Sequence, residues 1–207
     1  MRVRNLTAGS EVYTSNAYLC SPSSEERVSG VQENGKDCGI LIDTGCDPGI
    51  VNTLHEIERE SGTKPVCQII LTHSHYDHTK MLHSIKDSWN ITSYAYSAYL
   101  HGIDQVIKGG EIVQEHGTTF ELFHVPGHST DSICVYCREE KLLFSGDSPL
   151  IIWGIEGTYE LSFVRAFEKL VQLPVDIIYP GHGEPITNDC NRILNQSLRN
   201  LRKSRII

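Results

Sequence analysis

Four side chains that bind metal ions well lie close together in the segment Thr72–His78. They are His73, His75, Asp77 and His78. The segment directly follows the apolar run Val66–Leu71, which is typical of a buried strand. A strand that ends in imidazole and carboxylate groups delivers them together to one edge of a sheet. The segment therefore predicts a metal site.

Three later turns repeat this arrangement with one ligand-type side chain each. Each turn follows an apolar strand and contains Gly or Pro, so that the backbone can bend toward a common centre. The side chains are His128 in P-G-H-S, Asp147 in F-S-G-D and His182 in P-G-H-G. Together with the first segment they make seven candidate ligands.

Seven ligands exceed the four of one tetrahedral zinc ion and suit two ions that lie about 3.5–4 Å apart. In the division that we predict, Asp147 bridges both ions with its carboxylate. The first ion takes His73, His75 and His128, and the second takes Asp77, His78 and His182. Mostly imidazole ligands favour Zn, with Fe or Mn as the alternatives, over Ca or Mg.

Strands and helices alternate along the chain and position these turns. The pattern predicts strands at Ala17–Cys20 and Gly39–Asp43, with the polar stretch Ser21–Asp37 as a hairpin loop between them. A helix with Asp47 as its N-cap is predicted to end at Gly62. The further predicted strands are Val66–Leu71, Phe120–Val125, Ile133–Tyr136, Leu142–Phe144 and Val175–Tyr179, and the further helices are Thr79–Asp87, Tyr159–Leu173 and Asn188–Arg202. This pattern predicts one layered α+β domain over residues 1–207.

The composition and net charge of the chain limit the kinds of partner that it is expected to bind. The net charge of −8 argues against nucleic acid, which requires a concentrated positive surface. The N-terminus lacks the apolar segment of a signal peptide, and no run reaches transmembrane length. The seven scattered cysteines indicate reduced thiols rather than a disulfide framework. We therefore expect a cytoplasmic protein with a small-molecule substrate and no membrane partner, and nothing in the sequence fixes an oligomeric state.

The motifs T-H-S-H-Y-D-H, P-G-H-S, F-S-G-D and P-G-H-G, in this order, resemble those of the metallo-β-lactamase superfamily. The stretches S-N-A-Y-L and G-I-L-I-D-T-G resemble the first strands of that family, with Asp43 at its structural aspartate position. The resemblance implies a four-layer αβ/βα sandwich with the metals at one sheet edge. The family's ligand pattern agrees with the division given above.

The retained Asp147 and the compact length resemble glyoxalase II-like thioesterases and lactonases. This resemblance implies a dinuclear hydrolase in which a metal-bridging hydroxide attacks a small thioester, ester or lactone carbonyl, while Asp77 orients the water and accepts a proton. Thr79-Lys80-Met81 departs from the small residue and Gly-Gly that are usual after the motif. Only 25 residues follow His182, so we expect no C-terminal helical domain like that of glyoxalase II and do not expect glutathione thioesters as substrates.

Two alternatives from other classes remain open. The first is a mononuclear iron persulfide dioxygenase, in which His73, His128 and Asp147 would hold Fe(II). The second is a binding module that keeps the fold without catalysis. Metal content and oxygen dependence separate the first from a dinuclear hydrolase, and the absence of hydrolysis by protein with its metal intact would identify the second.

Substrate contacts are expected from loops beside the ligands. Ile151, Ile152 and Trp153 in the loop Ser148–Thr158 would either line an apolar pocket or pack the loop onto the core. Tyr159 is a further candidate, as a hydrogen-bond donor to the substrate. The stretch Ser21–Asp37 would be either a flap over the site or a solvated loop.

Overall fold

A computed structural model describes residues 1–22, 38–115 and 117–207. The chain forms two compact units, residues 1–107 with 114–117 and residues 108–113 with 118–207. The predicted hairpin loop lies outside the described residues from position 23 onward. The prediction of a single domain over residues 1–207 stays a prediction.

The first unit is built on a six-stranded mixed sheet. Its strands, in spatial order, are β1 (Arg2–Asn5), β2 (Tyr18–Ser21), β3 (Gly39–Ile42), β4 (Val66–Ile70), β5 (Thr92–Ala95) and β6 (Gln105–Val106). β3, β4, β5 and β6 are parallel to one another, whereas β1 and β2 run antiparallel to their neighbours. The unit also contains the helices α1 (Gly49–Ser61), α2 (Tyr76–Thr79) and α3 (Leu82–Ser88). Because β3 and β4 are parallel, their carboxyl ends meet at one edge of the sheet.

An apolar cluster holds the first unit's sheet and helices together. α1 buries Ile50 and Leu54, which lie one helical turn apart, against this cluster. Leu41 of β3 and Ile69 of β4 belong to the same cluster and are fully buried. Its N-cap is Pro48 and not Asp47, so the helix begins one residue later than predicted, and it ends at Gly62 as predicted.

The second unit is built on a five-stranded sheet with the order β12-β10-β9-β8-β7. These strands are β7 (Ile112–Glu115), which crosses the boundary between the units, β8 (Thr118–His124), β9 (Ile133–Cys137), β10 (Leu142–Gly146) and β12 (Ile177–Pro180). β10 is parallel to β12 and antiparallel to β9. A separate parallel pair joins β11 (Thr158–Tyr159) to β13 (Arg205–Ile206). The helices α4 (Leu161–Leu170) and α5 (Cys190–Leu201) contribute Phe163, Phe167 and Leu194 to a second apolar cluster.

A disulfide joins Cys38 to Cys67 and corrects the expectation that the thiols are reduced. Gly39 pairs with Val66 in the parallel register of β3 and β4, which brings the two cysteine Cα atoms to 5.4 Å. The sequence prediction was therefore wrong for this pair. Cytoplasmic location, which rested partly on the cysteines, stays a prediction. No helix among the described residues has the length and apolar character needed to cross a membrane.

Candidate metal centre

The first unit places four of the predicted ligands in the turn after β4 and in α2. His73 and His78 are buried, His75 is exposed and Asp77 is half-buried. His73 Nε2 lies 3.0 Å from His75 Nδ1, and His78 Nε2 lies 3.8 Å from Asp77 Oδ2. Zinc–nitrogen bonds of 2.0–2.1 Å in a tetrahedron separate two ligand atoms by about 3.3 Å. Both pairs have separations close to that value, and both belong to one ion in the predicted division.

The carboxylate of Asp43 orients the imidazole ring of His78 through a hydrogen bond to Nδ1. Its Oδ2 accepts a hydrogen bond from His78 Nδ1 at 2.8 Å. The same carboxylate accepts the Thr72 backbone N–H at Oδ1 and the Thr72 hydroxyl at Oδ2, each at 2.7 Å. A proton held on Nδ1 leaves the lone pair of His78 on Nε2, the nitrogen that lies near Asp77. Asp43 therefore fixes the imidazole tautomer that a metal ion needs.

Backbone hydrogen bonds fix α2 in place. The Thr44 N–H and hydroxyl both donate to the carbonyl oxygen of His78, at 2.8 and 2.9 Å. The Ser15 N–H donates to the carbonyl oxygen of Asp77 at 3.2 Å. Thr44, Ser15 and Thr72 support the predicted ligands but were not predicted from the sequence. The T-G after Asp43 and the T before the first histidine were the available signals.

The second unit places the remaining three predicted ligands in the turns after β8, β10 and β12. Asp147 Oδ2 lies 3.5 Å from His128 Nε2 and 3.5 Å from His182 Nε2. One carboxylate oxygen is thus equally distant from an imidazole predicted for each ion. The bridging role of Asp147 stays a prediction, and this placement is compatible with it.

The strands of the second unit explain how these turns come together. β10 and β12 are parallel neighbours, so Asp147 and His182 leave the sheet side by side. The Gly181 N–H donates to the carbonyl oxygen of Gly146 at 2.8 Å and joins the two turns. Gly127 lies against Phe163, and a Cβ at position 127 would come within 2.8 Å of the ring. A glycine is therefore needed next to His128.

Burial keeps the thiol of Cys134, in the second unit, in its neutral form. Cys134 is fully buried in β9 and lies 3.8 Å from the carbonyl oxygen of Ser145. Burial raises the pKa of its thiol to about 12, because a thiolate loses its hydration there. Cys134 is therefore no thiolate nucleophile at neutral pH.

The apolar side chains of the loop Ser148–Thr158 lie in three different environments. Ile151 lines a cavity beside Asp147. Ile152 is buried in the apolar cluster, and its N–H donates to Ser197 Oγ at 3.0 Å. Trp153 is 86% exposed, and Tyr159 is half-buried and stacks on Phe163 with ring centroids 5.7 Å apart. Substrate contacts of Trp153 and Tyr159 stay predictions.

Comparison with known proteins relates the chain to thioesterases. An atrochrysone carboxyl ACP thioesterase of Aspergillus fumigatus is 30% identical over 144 residues, which cover 68% of this chain and 45% of the relative. The atrochrysone carboxyl ACP thioesterase dmxR1 of a Cryptosporiopsis species is 27% identical over 192 residues, covering 92% and 55%. The chain spans about half the length of the curated relatives that it matches.

Solved structures share the fold at low sequence identity. ETHE1 from Myxococcus xanthus superposes with a TM-score of 0.69 at 17% identity, covering 96% of this chain and 85% of that protein. TTHA1623, solved in a di-iron-bound form, gives a TM-score of 0.57 at 24% identity, covering 84% and 89%. The sequence profile of the metallo-beta-lactamase superfamily matches residues 27–182, which is most of the chain and includes every predicted ligand. These matches confirm the predicted fold class, and the chain belongs to the metallo-beta-lactamase superfamily.

Proposed function

We propose that the protein is a metal-dependent hydrolase of small thioesters, esters or lactones. Membership of the superfamily and two relatives named as thioesterases support hydrolysis. The observation that carries the dinuclear form of the proposal is the position of Asp147. Its Oδ2 lies 3.5 Å from the Nε2 atoms of both His128 and His182, which are predicted to bind different ions.

The donor set fits two divalent ions. Five imidazoles and two carboxylates suit Zn, and they also suit Fe or Mn. The separations of His73 from His75 and of Asp77 from His78 are short enough for each pair to share an ion. We propose zinc as the resident metal. TTHA1623, with its di-iron form, makes iron the first alternative to test.

Asp77 and His78 have separate tasks in the proposed reaction. Two divalent ions, held by the seven predicted ligands, would lower the pKa of a bound water and polarise the substrate carbonyl. The half-buried Asp77 carboxylate orients the water and accepts its remaining proton as the leaving group departs. His78 is fully buried and its Nδ1 is hydrogen-bonded to Asp43, so it exchanges protons with solvent less freely than Asp77 does. Its proposed role is that of a metal ligand with a fixed position.

The substrate is proposed to be a small molecule. The net charge of −8 is unfavourable for nucleic acid and for an anionic membrane surface. Neither a nucleic acid nor a membrane is therefore a proposed partner.

Metal analysis together with a substrate panel tests the proposal. The purified protein should carry two metal ions per chain, and it should hydrolyse thioesters or lactones in a reaction that does not depend on oxygen. His75→Ala should lower kcat/KM at least a hundredfold, because an exposed ligand is lost without disturbing the core. His101→Ala is the matched control, since His101 is also exposed and is no predicted ligand.

Two results would contradict the proposal. Near-normal turnover by pure His75→Ala would exclude the ligand assignment. One iron per chain, together with oxygen consumption when a persulfide is added, would replace hydrolysis by the persulfide dioxygenase reaction.

A further inference from the structure

A cavity of about 340 Å³ in the second unit opens beside three of the predicted ligands. His128, Asp147 and His182 lie on its wall, so a group that enters the cavity lies directly next to them. Its size is within the lower part of the range for small-molecule pockets. Apolar side chains of the core line the cavity as well, so it is more than the space around the predicted ligands.

The floor of the cavity is hydrocarbon. Leu150 and Ile178 form it, and each is only 2% exposed and belongs to the apolar cluster of the unit. Ile151 and Ile186 also line the cavity and are half-buried. Burial of an apolar ligand against these side chains would remove hydrocarbon from water on both surfaces, which favours binding.

The backbone beneath the cavity offers few polar partners to a ligand. The Ile178 N–H donates to the carbonyl oxygen of Ile186, and the Ile186 N–H donates to that of Ile178, both at 2.9 Å. The Leu150 N–H donates to the carbonyl oxygen of Ser148 at 2.8 Å. Because these backbone groups already pair with one another, they offer little to a polar ligand. The polar side chains that line the cavity besides the predicted ligands are Ser145 and Ser148.

We propose that this cavity binds the apolar end of the substrate's acyl group and so selects medium-chain acyl thioesters. The inference rests on the proposed function, since it assumes that the carbonyl carbon of the substrate lies by the ligands. A methylene occupies about the volume of a water molecule, roughly 30 Å³, so the cavity has room for about ten non-hydrogen atoms. Octanoyl groups fit this volume, whereas acetyl groups leave most of it empty.

A series of N-acetylcysteamine thioesters with acetyl, butyryl, hexanoyl, octanoyl and lauroyl groups tests the selection. Each methylene buried in the cavity should raise kcat/KM about fourfold, and the rise should stop when the cavity is full. Ile151→Trp reduces the volume and should lower the ratio of octanoyl to acetyl kcat/KM more than tenfold. Ile155→Trp is the matched control, because Ile155 is 48% exposed in the same loop and does not line the cavity. It should leave the ratio unchanged.

Binding can be located without any reaction. In protein with ¹³C-labelled isoleucine δ1 methyl groups, octanoate should shift the signals of Ile151, Ile178 and Ile186. The signal of Ile50, which lies in the core of the first unit, should stay in place. Acetate at the same concentration should leave all four signals unchanged.

The results separate this inference from the proposed function. If the metal-loaded protein hydrolyses no thioester or lactone, the proposed function fails, and the methyl shifts then decide whether the cavity binds acyl chains. If it hydrolyses thioesters but octanoate shifts none of the three lining methyl groups, the acyl-binding inference alone is overturned. An octanoyl preference that is equal in Ile151→Trp and Ile155→Trp would overturn it as well.

Discussion

Replacement of Asp43 by Asn tests whether the Asp43 carboxylate sets the tautomer of His78 that can bind a metal ion. Asp43 Oδ1 accepts the Thr72 N–H at 2.7 Å, and Oδ2 accepts His78 Nδ1 at 2.8 Å. In Asp43→Asn the amide oxygen must stay opposite the Thr72 N–H, so the amide nitrogen lies opposite His78. A donor then faces Nδ1, which favours the tautomer with its proton on Nε2. That proton occupies the position that a metal ion would take.

The expected loss has two parts. Metal affinity should fall 10- to 100-fold, as is usual when the hydrogen-bond partner of a ligating histidine is removed. This corresponds to about 1.4–2.7 kcal/mol. The metal-free protein should lose about 1–1.5 kcal/mol of unfolding free energy, since a buried hydrogen bond to a charged carboxylate is replaced by one to a neutral amide. Asn tolerates the left-handed backbone of this position, where φ is 58°, so backbone strain adds little.

Competition with a chromophoric zinc chelator measures the affinity, and urea unfolding of the metal-free protein measures the stability. Asp189→Asn is the matched control, because Asp189 also has a φ of 58° but is exposed and pairs with Arg192. It should change neither quantity measurably. If Asp43→Asn bound zinc as tightly as the wild type while losing stability, Asp43 would support the fold only, and the tautomer argument would be wrong.

Three further predictions concern the thiols and the metal. Cys67→Ser should lower the unfolding free energy, measured in urea, by about 3–4 kcal/mol, because the disulfide to Cys38 closes a sequence separation of 29 residues. If a reducing phosphine left the unfolding free energy of the wild type unchanged, this prediction would be wrong. Iodoacetamide at pH 8 should label half-buried Cys46 before Cys134, whose pKa of about 12 leaves about one thiol in ten thousand ionised, and mass spectrometry of the peptides decides between them. A chelator should abolish hydrolysis and lower Tm while the circular dichroism of the helices persists, and zinc should restore both activity and Tm.

The positions of the predicted ligands could be placed from the sequence because the segments that carry them follow apolar strands. The run before His73 and the run before His182 are β4 and β12 in the structure, within two residues of their predicted bounds. Periodicity and turn residues are local signals, so these elements could be predicted without knowledge of their neighbours. The separations between ligand atoms depend on strand pairing, which local signals do not contain.

Errors in the prediction occurred where distant residues pair. The helix predicted over Tyr159–Leu173 begins at Leu161, because Tyr159 pairs with Ile206 in β11 and β13. The helix predicted over Thr79–Asp87 is two helices that meet near Met81, whose N–H donates to the carbonyl oxygen of Gly45 at 3.3 Å. In each case a contact between residues far apart in the sequence overrode the local helical preference. The Cys38–Cys67 disulfide was missed for the same reason.

Both units place a carboxylate beyond a strand end by means of a left-handed residue. In the first unit Asp43 itself has a φ of 58°, directly after β3, and its N–H donates to the carbonyl oxygen of Ile70 at 3.0 Å. That conformation costs an L-residue about 1–2 kcal/mol, and the three hydrogen bonds to the Asp43 carboxylate offset it. In the second unit Gly146, directly before Asp147, has the left-handed conformation with a φ of 49°, and a glycine adopts it without strain. Asp147 therefore avoids that cost, and its Oδ2 lies 3.5 Å from two imidazole Nε2 atoms, whereas the oxygens of Asp43 accept hydrogen bonds from Thr72 and His78. This difference explains on physical grounds why one aspartate is expected to bind metal and the other to support a ligand.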